Sequence, residues 1–118
     1  MKIKGKIGYC TNRDLGLTNN QGQALNGGHY VYIRKYYKNT GTCVVSTCTS
    51  LEDDYGNIKT QKMKLLRDGK TYPVPKKDSN FPKWTGVNKS VIYVNKSKIS
   101  RVNKKRIKKR HKLIIGKM

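Results

Sequence analysis

Between Gly27 and Glu52 the chain reads GGHYVYIRKYYKNTGTCVVSTCTSLE, two runs rich in Val, Tyr, Thr and Ile on either side of the triplet Asn39-Thr40-Gly41. β-Branched and aromatic residues suit a pleated strand, and a Gly-containing turn between two such runs predicts a β-hairpin. Side chains alternate along a strand, so Tyr30, Tyr32, Arg34 and Tyr36 share one face, and His29, Val31, Ile33, Lys35 and Tyr37 share the other. The aliphatic residues lie on the second face, which is therefore expected to point inward. That leaves Tyr30, Tyr32, Arg34 and Tyr36 as an outer strip of aromatic rings and one cation, of the kind that stacks on bases and pairs with phosphates. In the returning strand, Cys43, Val45, Thr47 and Thr49 oppose Thr42, Val44, Ser46 and Cys48. Cys43 and Cys48 thus face opposite ways, share neither a bridge nor a metal within this strand, and read as packing residues.

The rest of the pattern is weaker. Residues 1–26 read as a polar leader carrying a lysine-guarded edge strand at 2–7, followed by a loop dense in Asn, Gln and Gly. Residues 59–67 alternate too weakly to separate a strand from a short helix, and Asp68-Gly69 after them marks a turn. Residues 70–74 return as a strand placed at an edge by Pro73 and Pro75. Residues 84–87 and 90–94 supply the last β-prone run, with Trp84 as its expected core anchor. Short strands, frequent turns and no long helix predict a mainly β chain, a small all-β barrel over 27–102 with a basic C-terminal arm over 103–118.

Charge changes this picture more than composition does. Among 118 residues, 27 Lys and Arg against 6 Asp and Glu leave a net charge of +21. A domain so charged repels itself unless a polyanion neutralises it, and nucleic acid is the leading partner because phosphate contacts release counterions. The arm is densest at Lys104, Lys105, Arg106, Lys108, Lys109 and Arg110, which are expected to grip phosphates without reading sequence. No apolar run approaches the ~20 residues of a membrane span, and no membrane partner is expected. The N-terminal Ile-Lys alternation lacks the apolar core of a secretory signal, so a cytoplasmic location is expected, where three cysteines suit reduced thiols. No His/Cys spacing resembles a zinc site, and the acidic stretch Glu52-Asp53-Asp54 lacks the pattern of a calcium loop and reads as a turn; no metal and no cofactor are expected.

The segment from Tyr36 to Ser50, with its Asn-Thr-Gly turn and a second strand closing on Thr49-Ser50, resembles the MazF/PemK family of toxin endoribonucleases, as does the Gly28-His29 approach to the first strand. The likeness covers about a fifth of the chain. It implies an SH3-like barrel, a homodimer, an antitoxin or other protein partner, and metal-independent cleavage of single-stranded RNA. Of the family's catalytic pair, Thr49 matches the Thr or Ser that closes the second strand, whereas Tyr30 stands where the family has an arginine. His29 as base and Arg34 as the charge-stabilising group would complete such a site, and because alternation puts them on opposite faces, a shared site needs a bulge. Since binding requires only groups that are present and catalysis an arginine that is not, the sequence favours a non-catalytic RNA-binding protein, RNA ahead of DNA. A toxin-type endoribonuclease comes second. Third is a phage or mobile-element inhibitor that occupies the nucleic-acid channel or guide RNA of a host system.

Overall fold

The computed structural model describes residues 3–75, 84–103 and 107–117. Six strands make one antiparallel sheet: β1 (Ile7–Thr11), β2 (Gly28–Tyr37), β3 (Thr42–Ser50), β4 (Thr71–Val74), β5 (Thr85–Asn88) and β6 (Ile92–Asn95). Two short helices, α1 (Thr60–Arg67) and α2 (Lys109–Gly116), accompany them. The expected mainly β chain is therefore observed. The strand order is β1-β2-β3-β5-β4, with β6 also on β3, so the sheet is open, and among the described residues β1 and β4 do not pair.

The central hairpin falls where the sequence places it. Gly41 takes the left-handed conformation at φ +72°, its N–H donates to the Tyr37 carbonyl at 2.8 Å, and Tyr37 pairs with Thr42. Along its far edge β3 carries two partners in succession, β6 on residues 42–45 and β5 on residues 48–50. Lys89, Ser90 and Val91 bridge the gap between them. After β6 a single 3-10 turn (Lys96–Lys98) leads the chain back to β1, where Tyr9 and Ser100 exchange backbone hydrogen bonds of 2.8 and 2.9 Å.

Each face of the sheet carries its own core. Ile3, Cys10, Leu15, Val31, Ile33, Cys43, Val45 and Val94 fill the first. Ile7, Tyr32, Cys48, Val74, Val87, Ile107 and Ile115 fill the second. Cys43 and Cys48 fall in different cores, as their odd spacing requires, and all three thiols are free and buried.

A β-bulge in β2 corrects the face assignment made from strict alternation. Ile33 pairs with Val45, but Lys35 pairs with Val44, so Arg34 is an extra residue that reverses the parity of everything after it. Tyr36 consequently packs against the first core, while Lys35 and Tyr37, expected inside, turn to the second face and are exposed. Tyr32, expected on an outer strip, is buried at 3% exposure because α2 and Ile107 cover its face.

Three other expectations are revised. The first strand forms at 7–11 rather than 2–7, and residues 3–15, read as part of a leader, give Ile3, Cys10 and Leu15 to the core. Residues 107–117, read as part of a basic arm, include a docked helix, because Ile107, His111 and Ile115 recur at four-residue spacing and all three are buried. Trp84 is 37% exposed and fixed by its backbone, its N–H donating to Glu52 Oε1 at 2.9 Å, so the β5 core residue is Val87. Within 59–67, Thr60–Arg67 resolve as helix, ended by Asp68-Gly69 with Gly69 at φ +71°.

Candidate nucleic-acid interface

The reversal of β2 builds a groove. On the second face Lys35, Val44 and Tyr93 are register partners across β2, β3 and β6, which makes one row of side chains perpendicular to the strands. Val91 extends this floor, Tyr37 stands beside it, and Lys112, Leu113, Gly116 and Lys117 of α2 and its last turn form the opposite wall. Lys4 and Arg34 complete the lining of a cleft of about 540 Å³. Tyr37 is 49% and Tyr93 68% exposed, so both rings remain accessible. Five cations and no described Asp or Glu line the cleft. A cationic rim with aromatic rings at an apolar floor can hold phosphates and stack unpaired bases.

The residues expected from sequence to contact nucleic acid are spread over several environments. Tyr30 is 46% exposed and lies edge-on to Tyr9, with centroids 5.6 Å apart. The Arg101 guanidinium sits 4.9 Å from the centre of the Tyr9 ring, so these three form a small ledge of their own. Gly28 permits it, since a Cβ there would run into the Tyr9 ring and the Cys10 carbonyl. Tyr32 lies at the base of the groove, and burial pushes its phenol up to about 12 although Arg34 pulls the other way, so it stays neutral and packs. Tyr36 faces away from the groove and has the Lys96 ammonium 5.4 Å from its ring centre.

Arg34 is held by three hydrogen bonds. One terminal nitrogen donates to Ser46 Oγ at 3.2 Å and to the Lys89 carbonyl at 3.1 Å, and the other donates to the Ile115 carbonyl of α2 at 2.8 Å. Ser46, fully buried, donates its hydroxyl hydrogen bond to the Ser90 carbonyl at 3.2 Å. In the basic tail, Lys104, Lys105 and Arg106 lie outside the described residues. Lys108 precedes α2, Lys109 and Arg110 open it, and all three are exposed. Arg110 Nε donates to His111 Nε2 at 3.3 Å, and His111 Nδ1 lies 2.6 Å from the Tyr72 hydroxyl, which fixes the buried ring against β4.

The three residues expected to catalyse have separate partners. Val31 and Thr47 are the last pair of the β2-β3 ladder at this end, so His29 and Thr49 lie beyond it, and His29 pairs with Cys10 of β1. Thr49 itself pairs with Gly86 of β5. His29 Nδ1 lies 2.6 Å from Asn12 Oδ1, and the buried Asn12 donates through Nδ2 to the Asn26 carbonyl at 2.7 Å. Asn12 thus accepts from the ring, so neutral His29 carries its proton on Nδ1 and leaves Nε2 as an acceptor. Arg34 lies elsewhere. A bulge does occur, but the guanidinium bonds to the Ile115 carbonyl of α2, whereas the His29 ring bonds to Asn12.

The remaining reactive groups are structural. Burial raises the Cys10 thiol from 9.0 to about 11, with Asp14 and Cys43 adding to the shift, and raises Cys48 to about 12. Burial also raises Cys43. Asp53 caps its own turn, accepting from the N–H groups of Tyr55 and Asn57 at 2.9 and 3.0 Å. No described helix is long and apolar enough to cross a membrane.

Sequence reasoning missed the groove itself. Tyr93 was legible, since Ile92 and Val94 flank it and pack against the first core. Lys35 and Tyr37 were hidden by the bulge, although a lysine on an otherwise aliphatic face was its trace. Lys112 and Lys117 required the helical spacing of Ile107, His111 and Ile115 to be seen inside a charge run. No protein-family model matches the sequence, and no curated protein matches it at a significant level.

Proposed function

We propose that this protein binds nucleic acid, single-stranded RNA ahead of DNA, in the groove between the β2-β3-β6 face and α2, without cutting it. The observation that carries this reading is the groove lining: five cations, no described acid, and two exposed tyrosines on an apolar floor. Exposed rings of this kind stack on unpaired bases, which duplexes do not offer. The net charge of +21 supplies the long-range attraction. A MazF/PemK-like, SH3-like barrel remains the proposed finer reading of the fold. It is supported by the strongly used β2-β3 hairpin, the 3-10 turn after β6 and the return of the chain to β1 at Tyr9. Homodimerisation, an antitoxin-type protein partner and a cytoplasmic setting belong to the same proposal.

Fluorescence anisotropy with a labelled oligouridylate tests it. Four lysines, each releasing about 0.7 counterion from a single strand, give a log-log salt slope near about −3. Binding unchanged between low and high salt, or no binding to RNA and DNA alike, removes the reading.

A second reading, a metal-independent endoribonuclease, is favoured by one observation, the His29 ring held by Asn12 through Nδ1, which leaves Nε2 free of that bond. His29 Nε2 would take the ribose 2′-hydroxyl proton as that oxygen attacks the adjacent phosphorus; the P–O5′ bond breaks, leaving a 2′,3′-cyclic phosphate, and the departing 5′-oxygen takes a proton from water. Incubation of single-stranded RNA with the protein in EDTA decides it: cleavage abolished by both His29→Ala and Thr49→Ala establishes the enzyme, and intact RNA removes it.

A further inference from the structure

The two walls of the groove come from distant parts of the chain, and only one belongs to the sheet. Lys112 and Lys117 reach the cleft because α2 is docked across the second face. The α2 N-terminus has no capping side chain, and the helix is eight residues long, so its position is set by what it touches rather than by its own propensity. Ile107, His111 and Ile115 hold its buried side. At its C-terminal turn, beside Lys112, Gly116 and Lys117, Arg34 of the sheet donates to the Ile115 carbonyl.

We infer that Arg34 is a positioning residue for the groove: it latches the last turn of α2 to the sheet and so acts on nucleic acid through Lys112 and Lys117, not by touching a phosphate itself. This rests on the nucleic-acid reading of the groove. The guanidinium is the one group whose shape answers three acceptors set in different directions. It serves Ser46 Oγ on β3, the Lys89 carbonyl where the ladder breaks between β5 and β6, and the Ile115 carbonyl at the helix end. A cation at a helix C-terminus is also favoured by the terminal carbonyls. The bulge gives the arginine its place: as the extra residue of β2, Arg34 lies outside the strict ladder and is aimed at the gap in the β5–β6 edge. Lysine would keep the charge but not the planar fork, so the two roles separate by substitution.

The experiment crosses Arg34→Lys and Arg34→Ala with Lys112→Ala/Lys117→Ala. Oligouridylate affinity is measured against salt, and amide hydrogen exchange is followed over residues 111–117. Arg34→Lys is expected to lower affinity as much as the double lysine variant does. It should flatten the salt slope by about 1.4, the contribution of two phosphate contacts, and accelerate exchange in α2 while β2 and β3 keep their protection. Added to the double lysine variant, it should cost nothing further. Wild-type affinity in Arg34→Lys, unchanged α2 exchange, or additive losses with a slope change near 0.7 would overturn the latch while leaving the groove reading intact. Failure of the wild-type protein to bind any oligonucleotide overturns both.

Discussion

The two faces of the sheet are closed by different means. On the first, Val31, Ile33, Cys43, Val45 and Val94 come from adjacent strands, and the early residues Ile3, Cys10 and Leu15 complete a continuous apolar cluster. On the second, Tyr32, Cys48 and Val87 are covered by Ile107 and Ile115 from the far end of the chain, and the cover stops short of Lys35, Val44 and Tyr93. The first face is a core in the ordinary sense. The second is half core and half open groove, and the boundary between the halves is drawn by α2 and Arg34. A bulge of one residue produces this division, since it sends Tyr36 inward and its neighbour Tyr37 into the groove.

The two faces are expected to respond differently to truncation. Ile33→Ala removes a fully buried side chain from the first core and is expected to cost about 2–5 kcal/mol of global stability, read as a lower urea midpoint. Ile115→Ala removes a comparable side chain from the second. There the expected result is faster hydrogen exchange in α2 and lost oligonucleotide affinity before any global unfolding. Equal global losses without an effect specific to α2 would show that the faces are not distinct.

The adjacent tyrosines sharpen the same contrast at smaller scale. Tyr37→Ala should weaken oligonucleotide binding by about 1–3 kcal/mol, roughly 5- to 150-fold, with little change in stability. Tyr36→Ala should do the reverse, lowering the thermal midpoint while sparing affinity. Identical profiles would mean that the bulge does not separate them.

Much of this architecture was legible in the sequence, and the exceptions have physical causes. The hairpin was readable because β-branched and aromatic runs around Gly41 leave few alternatives, and the opposite burial of Cys43 and Cys48 followed from their spacing. The outer strip failed because alternation assumes an uninterrupted ladder, and one unpaired residue inverts all that follows. The C-terminal helix was masked by composition: three buried positions among Lys and Arg read as a solvated run unless tested at a period of four. Of the candidate site, the cationic and aromatic character was visible in advance, but the groove was not, because it needs strand β6 and helix α2 brought together by tertiary packing.

Alkaline titration reads the buried thiols of both faces together. Folded Cys10 and Cys48 hold their protons to about 11 and about 12 against an ordinary 9.0, so between these limits the folded chain binds more protons than the unfolded one. Their contribution to stability is complete below pH 9 and is lost as pH rises through the folded values. Urea midpoints should therefore fall progressively above pH 9, and iodoacetamide at pH 8 should modify the native thiols only after denaturant is added. The smallest expected effect is at the turn. Gly41→Ala should cost about 1 kcal/mol, because φ +72° is unfavourable for a residue with a Cβ, and should leave oligonucleotide affinity unchanged.

Nucleic acid is proposed to lie in the groove and not merely on a basic surface. Photocrosslinking of a 4-thiouridine oligonucleotide followed by mapping of the modified peptides tests it most directly, with Tyr55, 90% exposed beside the acidic turn, as internal reference. Adducts at Tyr37 or Tyr93 and none at Tyr55 are the predicted result. Adducts spread over Tyr55 and Tyr30 with the groove tyrosines unmodified would contradict it.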